Sequence, residues 1–383
     1  MRKVLLRSLS ALVVAAAAVL VGWRVLAPAE VLAGVEPPYP VDSTIRPGVT
    51  GRMPVAPLIV DERIRVYASK RQIRADAPVH AETVYTAIWS FRRWPEQLSG
   101  VVAAGPTVIS RWTDGDLVAI DGRTGKISWR VSGTKPADGF AGHRTGADTV
   151  WRPVGMRVAG DTVLVTAGAH VDAYAINGGT RRWTAALCAD GFTTGGGRYV
   201  CADGAYDTAT GTKIASFPAG PYTPLACDVA SSGCRGLRDG AGQGWLSGAA
   251  TLRRAPALDM AGSTVAGDLV FQPKADALVA VDPVSGAFVR RYPAGAQVLG
   301  TAGDIVVLLT ADRRLMEVAA TARGKGRLIY AAAYGPETRK WDVGGVQVTS
   351  RFVAIERLAP GGPKSPDTPG YYYSVDTVLV AEV

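Results

Sequence analysis

The sequence predicts an all-β protein, a β-propeller of about seven four-stranded blades, with six or eight also compatible. Three observations lead there. A short alternating hairpin recurs along the chain, the composition favours turns over helices, and the hairpin closes on an aromatic residue that its own sheet is too small to cover. The hairpin is clearest in residues 114–129, DGDLVAIDGRTGKISW. Leu117 and Ala119 alternate with Val118 and Ile120, the period of two that marks a strand. Asp121, Thr124 and Gly125 then reverse the chain, and a second short strand ends on Trp129. The Asp side chain accepts from backbone N–H groups two residues on, and glycine supplies the positive φ of a tight reversal.

The unit returns as VDAYAINGGTRRW (171–183), GAYDTATGTKIASF (204–217) and ADALVAVDPVSGAFVRRY (275–292). The step from acidic residue to glycine is four in Asp121–Gly125, Asp207–Gly211 and Asp282–Gly286, while the copy at Asn177 is two residues shorter before its Trp183. Degenerate copies are read at 234–248, at 304–320, and at the C-terminal FVAIERL and YYYSVDTVLVAEV. A bulky residue ending the outer strand must pack on the next unit, so each unit is incomplete alone and is stabilised by stacking. Residues 86–383 divide into seven units of about 43 residues, the size of a four-stranded blade. AIWSFRRW (87–94) reads as an aromatic-rich outer strand with no hairpin before it. It is expected to pair with YYYSVDTVLVAEV, closing the ring and leaving no terminal edge.

The chain has 383 residues, 48% hydrophobic and only 20% charged, with 45 Gly and 24 Pro, a turn-rich globular composition and not a disordered one. Arg2, Lys3 and Arg7 precede an apolar run from Leu9 to Trp23, a pattern that directs a chain into or through a membrane. Residues 1–28 are therefore read as a membrane anchor or signal segment. Uncleaved, it holds a single-pass membrane protein with its propeller outside the cytoplasm; Ala27-Pro28-Ala29 and Val31-Leu32-Ala33 both resemble cleavage sites that would release it. Residues 29–57, with Pro37, Pro38, Pro40, Pro47, Pro54 and Pro57, read as a linker, 58–84 as an N-terminal extension with a strand near Ile64–Tyr67, and 85–383 as the propeller. In an exported chain, Cys188, Cys201, Cys227 and Cys234 permit disulfides. A bond across CDVASSGC (227–234) would leave Cys188 to Cys201; three connectivities and free thiols stay open.

Lys and Arg exceed Asp and Glu by nine, but no block of five to eight basic residues occurs, so a solvated Arg-rich surface accounts for the charge and no nucleic acid is expected. With three His and no CxxC pair, nothing supports a zinc site. GxSxG is absent, ARGKGR (322–327) has glycine where a P-loop needs a hydroxyl, and GAGQGWLSG (240–248) lacks the GxGxxG spacing. Asp114, Asp116, Asp190 and Asp203 are accounted for as turn-formers, and Trp129, Trp183 and Trp245 as inter-blade packing. Trp151 and Arg152, in GADTVWRPVGM (146–156), lie outside the hairpin motif and are the candidate ligand surface.

The recurring D-x-x-T/S-G-x-x-x-W unit resembles the repeat of the PQQ-like, or quinoprotein-type, β-propeller family. The resemblance is carried by Ala119, Ile120, Asp121, Thr124, Gly125 and Trp129, with echoes at Tyr174, Ile176, Asn177 and Trp183, at Asp207, Thr210 and Gly211, and at Val281, Asp282, Ser285 and Gly286. It implies the propeller fold over about residues 85–383. For function it implies two branches: quinone-dependent alcohol and glucose dehydrogenases, and cofactor-free scaffolds that support outer-membrane protein assembly. Methanol-oxidising members place a vicinal Cys-Cys pair against the cofactor and hold calcium with Glu, Asn and a catalytic Asp; here no two cysteines adjoin. The expectation is a membrane-anchored, extracytoplasmic module without cofactor or catalysis that binds a protein of the cell envelope. A PQQ-dependent oxidoreductase and a carbohydrate- or cell-wall-polymer-binding module are the alternatives.

Overall fold

The structure, a computed structural model, describes residues 12–383 except 21, 23, 25–26, 35–38, 42–45, 85–86, 187, 189, 249–250, 303–304, 320–326 and 331–339. Among the described residues the strands form eight antiparallel sheets, the blades of a propeller. Blade 1 comprises Leu58–Val60, Ile64–Ser69, Gln72–Asp76 and Trp89–Trp94. Blade 2 comprises Leu98–Ala104, Thr107–Trp112, Asp116–Asp121 and Ile127–Ser132. Blade 3 comprises Met156–Ala159, Thr162–Ala167, His170–Ala175 and Arg181–Ala186. Blade 4 has three strands, Phe192–Thr194, Arg198–Cys201 and Gly204–Asp207. Blade 5 follows with Thr223–Leu225, Gly236–Arg238, Gly244–Ser247 and Leu252–Arg254. Blade 6 is Thr264–Ala266, Leu269–Lys274, Ala277–Val281 and Phe288–Pro293. Blade 7 is Gln297–Ala302, Ile305–Leu309, Leu315–Ala319 and Arg327–Tyr330. Blade 8 takes Asp342–Val348, Phe352–Leu358 and Val378–Glu382 from the end of the chain and Gly48–Met53 from its beginning.

Eight blades replace the expected seven, and the cause is physical. Blade 1 lies in residues read as an extension, because its third and fourth strands are joined by the long segment 77–88 instead of an Asp-x-x-Thr-Gly turn. Two of the degenerate copies are hairpins of another kind: those within 234–248 and 304–320 join second to third strands, not third to fourth. The ring does close with one strand from the start of the chain, but that strand is Gly48–Met53, paired antiparallel with Val378–Glu382. Residues 87–94 are not free to do this. Trp89 and Phe91 are buried in blade 1, whose third strand pairs with Trp89–Arg92. The stretch read as a linker thus contributes the closing strand, and a further strand, Ala29–Gly34, pairs outside Trp89–Trp94 as a fifth member of blade 1.

Residues 12–20 of the apolar N-terminal segment are helical; residues 1–11, 21, 23 and 25–26 of the expected anchor lie outside the described residues. Among the described residues no helix is long and apolar enough to cross a membrane. The cysteines are joined as Cys188–Cys201 and Cys227–Cys234. The largest apolar cluster joins blades 1, 2 and 8 through Ile64, Phe91, Trp112, Phe352 and Val380, so the two ends of the ring share one core.

Candidate functional site

The repeat residues build the joints between blades. The Gly125 amide donates to the Asp121 carbonyl, and equivalent bonds join Gly179 to Ala175, Gly211 to Asp207 and Gly286 to Asp282. The third blade therefore keeps the four-residue step, with Ala175 at the place of the acid; Asn177 stands two residues on and is not its equivalent. Each turn glycine of blades 2, 3 and 4 receives an indole from the blade before. A Cβ at Gly125 would lie 2.6 Å from Trp89 Cβ, one at Gly179 2.6 Å from Trp129 Cε3, and one at Gly211 2.8 Å from Trp183 Cδ2. The indole N–H groups donate to the carbonyls of Gly122, Ile176 and Thr208, at 3.0, 2.7 and 3.0 Å. An aromatic that is large, apolar and carries one N–H is satisfied only by a neighbour offering a flat glycine and a free carbonyl. That is the physical content of the repeat.

The series stops at blade 4. Four residues after Gly211 stands Ala215, where the earlier copies have Trp129 and Trp183. The outer strand of blade 4 survives as one bridge, Tyr206 to Lys213, and one bond from the Ile214 amide to the Ala205 carbonyl. Pro218, Pro221 and Pro224 follow, and proline has no N–H to extend a ladder. A groove of about 760 Å³ opens between blades 4 and 5, lined by Ile214, Phe217, Trp245 and Leu252 with Arg198 and Asp239. Trp245 lies on the third strand of blade 5, not an outer strand, and its N–H donates to Asp239 Oδ2 at 2.8 Å. The groove residues carry no motif; the missing tryptophan after Gly211 and the run of prolines are the signals that mark it.

The axis is partly filled by the chain itself. Trp151 is 2% exposed, its N–H donates to the Pro57 carbonyl at 2.8 Å, and its ring rests on Gly345 of the first strand of blade 8. The Trp151 carbonyl in turn accepts from the Ala230 amide at 2.8 Å. Trp151 is thus closed to an outside ligand; of the expected pair only Arg152 reaches the surface, where it bonds Asp148. Residues 228–233, tied at their base by Cys227–Cys234, enter from blade 5 and bound a cavity of about 330 Å³ with Ile59, Ala103, Ala159 and Val348. The Asp228 side chain is exposed to this cavity, with the cavity wall close around it. Desolvation by that wall pushes its pKa above the usual carboxylate range, with Arg235 opposing the shift. Asp207 and Asp282 bind their own turns: Asp207 accepts from the Ala209 and Thr210 amides, and Asp282 from those of Val284 and Ser285. These hydrogen bonds to the ionised form hold the Asp282 carboxyl below its usual range.

A ring of eight blades, six of them four-stranded and the first four joined by docked indoles, defines a propeller of repeated units. Residues 23–193 match a family described as outer membrane protein assembly factor BamB, which supports the likeness to the PQQ-like β-propeller repeat family. The chain is similar in structure to BamB from Moraxella catarrhalis, at 16% identity, 92% of this chain, 99% of that one and a TM-score of 0.43. It is also similar to the C-terminal WD40 domain of Sif2, at 10% identity, 88% of this chain, 96% of that one and a TM-score of 0.46. For a europium-containing methanol dehydrogenase the values are 12%, 84%, 89% and 0.41. No curated protein sequence matches.

Proposed function

We propose that the chain is a protein-binding scaffold of the cell envelope, cofactor-free and non-catalytic, tethered to the membrane by residues 1–28 with its propeller outside the cytoplasm. The observation that carries this reading is the contrast between a largely occupied axis and an incomplete rim. Trp151 and residues 228–233 occupy the centre, while the failed outer strand of blade 4 leaves an aromatic-lined groove open at the edge. A concave apolar surface with a few polar groups suits a partner side chain or short segment. The match to a family described as an assembly factor supports the same reading. The bonded cysteines bear against the quinone alternative: neither Cys188–Cys201 nor Cys227–Cys234 is the vicinal pair of the methanol-oxidising branch. For the tether, Leu12, Val13, Val14, Val19 and Leu20 are all exposed, an apolar helix surface that a bilayer would cover. Ahead of the propeller we place only this segment, the blades beginning in what reads as linker.

The test is a photo-reactive residue placed in living cells at Ala219, on the groove, and at Val284, half-exposed on blade 6. A discrete adduct at 219 with none at 284 supports the scaffold. Equal labelling at both, or none, removes the groove as its site. Dye reduction by purified protein incubated with quinone and Ca²⁺ would replace the scaffold by an oxidoreductase.

A further inference from the structure

Blade 1 is complete with four strands, yet a fifth, Ala29–Gly34 (AEVLAG), lies along its outer edge. Among the described residues no other blade has a strand beyond its fourth. The pairing is regular over six residues, from Ala29 opposite Trp94 to Gly34 opposite Trp89. All six residues are exposed, Val31 and Leu32 at 54% and 41%, and none enters an apolar cluster. The strand Trp89–Trp94 beneath it contrasts sharply, with Trp89 and Phe91 buried. Backbone hydrogen bonds and one side chain therefore hold the extra strand. That side chain is Glu30, which meets Arg93 Nε at 3.3 Å and Arg130 Nη2 at 2.5 Å, bridging the rims of blades 1 and 2. Arg93 is itself seated by Asp114 and Asp116 and lies over the Trp112 ring, so the cationic half of the contact is built into the blade.

We infer that the outer edge of blade 1, Trp89–Trp94, is a strand-accepting site for an extended segment of a partner protein bearing an acidic side chain opposite Arg93 and Arg130, and that residues 29–34 occupy it in cis. Main-chain pairing supplies the affinity in such an addition and the charge supplies the register. A strand that buries little apolar surface exchanges readily, while its tether gives it a high effective concentration that holds the site closed. One cleavage-like triplet, Val31-Leu32-Ala33, falls within this strand: a cut after Ala33 would remove five of the six residues and leave the edge open. The state of the N-terminus thereby sets whether the site is filled. This deepens the scaffold reading and rests on it for the existence of a partner; the amide-exchange arm below needs no partner.

The full-length protein is compared with its Val31→Pro/Leu32→Pro variant. Of two consecutive strand residues one donates to the neighbour, so the double change removes the ladder bond whichever it is. Backbone amides of 89–94 should exchange roughly tenfold faster in the variant while those of 64–76 keep their protection. A labelled AEVLAG peptide should bind the variant roughly tenfold or more tightly than the wild type, and an AKVLAG peptide should lose that binding. Unchanged exchange at 89–94, or a folded variant that binds neither peptide or both alike, would overturn the inference. A concentration-dependent dimer of the wild type, lost in the variant, would overturn the cis assignment in favour of a second copy.

Discussion

At Gly179 and at Gly286 the backbone turns with almost the same φ, 68° and 69°, after the same amide-to-carbonyl bond. A Cβ at Gly179 would meet the ring of Trp129 at 2.6 Å; one at Gly286 would meet nothing within 4 Å. The two halves of the ring thus share a turn and differ in what lands on it. Blades 1 to 4 are joined by Trp89, Trp129 and Trp183, each with its N–H satisfied by the next blade. Blades 6 to 8 are joined by apolar clusters in which no ring rests on the Gly286 turn: Phe271, Tyr292, Val306 and Leu308 between 6 and 7, Trp341, Val307, Leu309 and Ile355 between 7 and 8. The turn is thus a local device, made by Asp, Thr and Gly among themselves. The joint is a separate device that needs a neighbour, and a repeat can keep the first after losing the second.

The largest effect is expected where the halves meet. A chain beginning at Pro54 lacks Gly48–Met53 and leaves the edge of Val378–Glu382 unpaired. Its urea unfolding should lose cooperativity, with amide exchange rising in blades 5 to 8 before blades 1 to 4. A single transition identical to that of the full chain would break the distinction. Within the first half, Trp129→Ala removes a 9%-exposed indole and leaves the Ile176 carbonyl without its donor, for a loss of about 3–5 kcal/mol in urea unfolding. Arg290→Ala, four residues past Gly286, should cost under about 1 kcal/mol. The contrast within the glycine pair is smaller again. Gly179→Ala and Gly286→Ala share a cost of about 1–2 kcal/mol for the left-handed backbone. Only Gly179→Ala adds about 1–3 kcal/mol of overpacking against Trp129. Equal losses would show that the close approach is relieved freely, and the two joints would no longer differ in kind.

What the sequence discloses follows the same line. The turns at Asp121, Asp207 and Asp282 are legible because their hydrogen bonds run within four residues. Blade 1 is not, because its third-to-fourth connection carries no such turn, and Gly48–Met53 is not, because its partner lies at the other end of the chain. The place of Asn177 is misread because Asn imitates Asp at a turn; the constant step of four from Gly125 to Trp129 and from Gly179 to Trp183 sets the register correctly. Trp151 resembles a surface residue in a loop sequence, and only the ring places Pro57, Gly345 and Ala230 around it. The groove is the hardest to read, since it arises from a strand that fails to form.

The smallest expected effect tests one of the places where the halves touch around the axis, the bond from Ala230 to the Trp151 carbonyl, beside Asp228. Burial raises the Asp228 pKa in the folded state, so the folded protein holds that proton more tightly than the unfolded chain does. Stability from this group is therefore greatest in and below the ordinary carboxyl range and declines as pH rises through it towards the raised value, leaving the charged form as a penalty at pH 7. Asp228→Asn keeps the shape and removes the charge. It should raise the melting temperature at pH 7 by about 1–2 °C, a modest gain because the side chain's exposure to the cavity and Arg235 already soften the penalty. The gain should shrink as pH falls through the raised value and vanish below the ordinary carboxyl range, where the group is protonated in both the folded and the unfolded state. A variant less stable than the wild type at pH 7 would mean that the carboxylate is held by an attractive partner across the axis. The contact beside Asp228 would then add an electrostatic attraction to the backbone bond that Trp151 and Ala230 make.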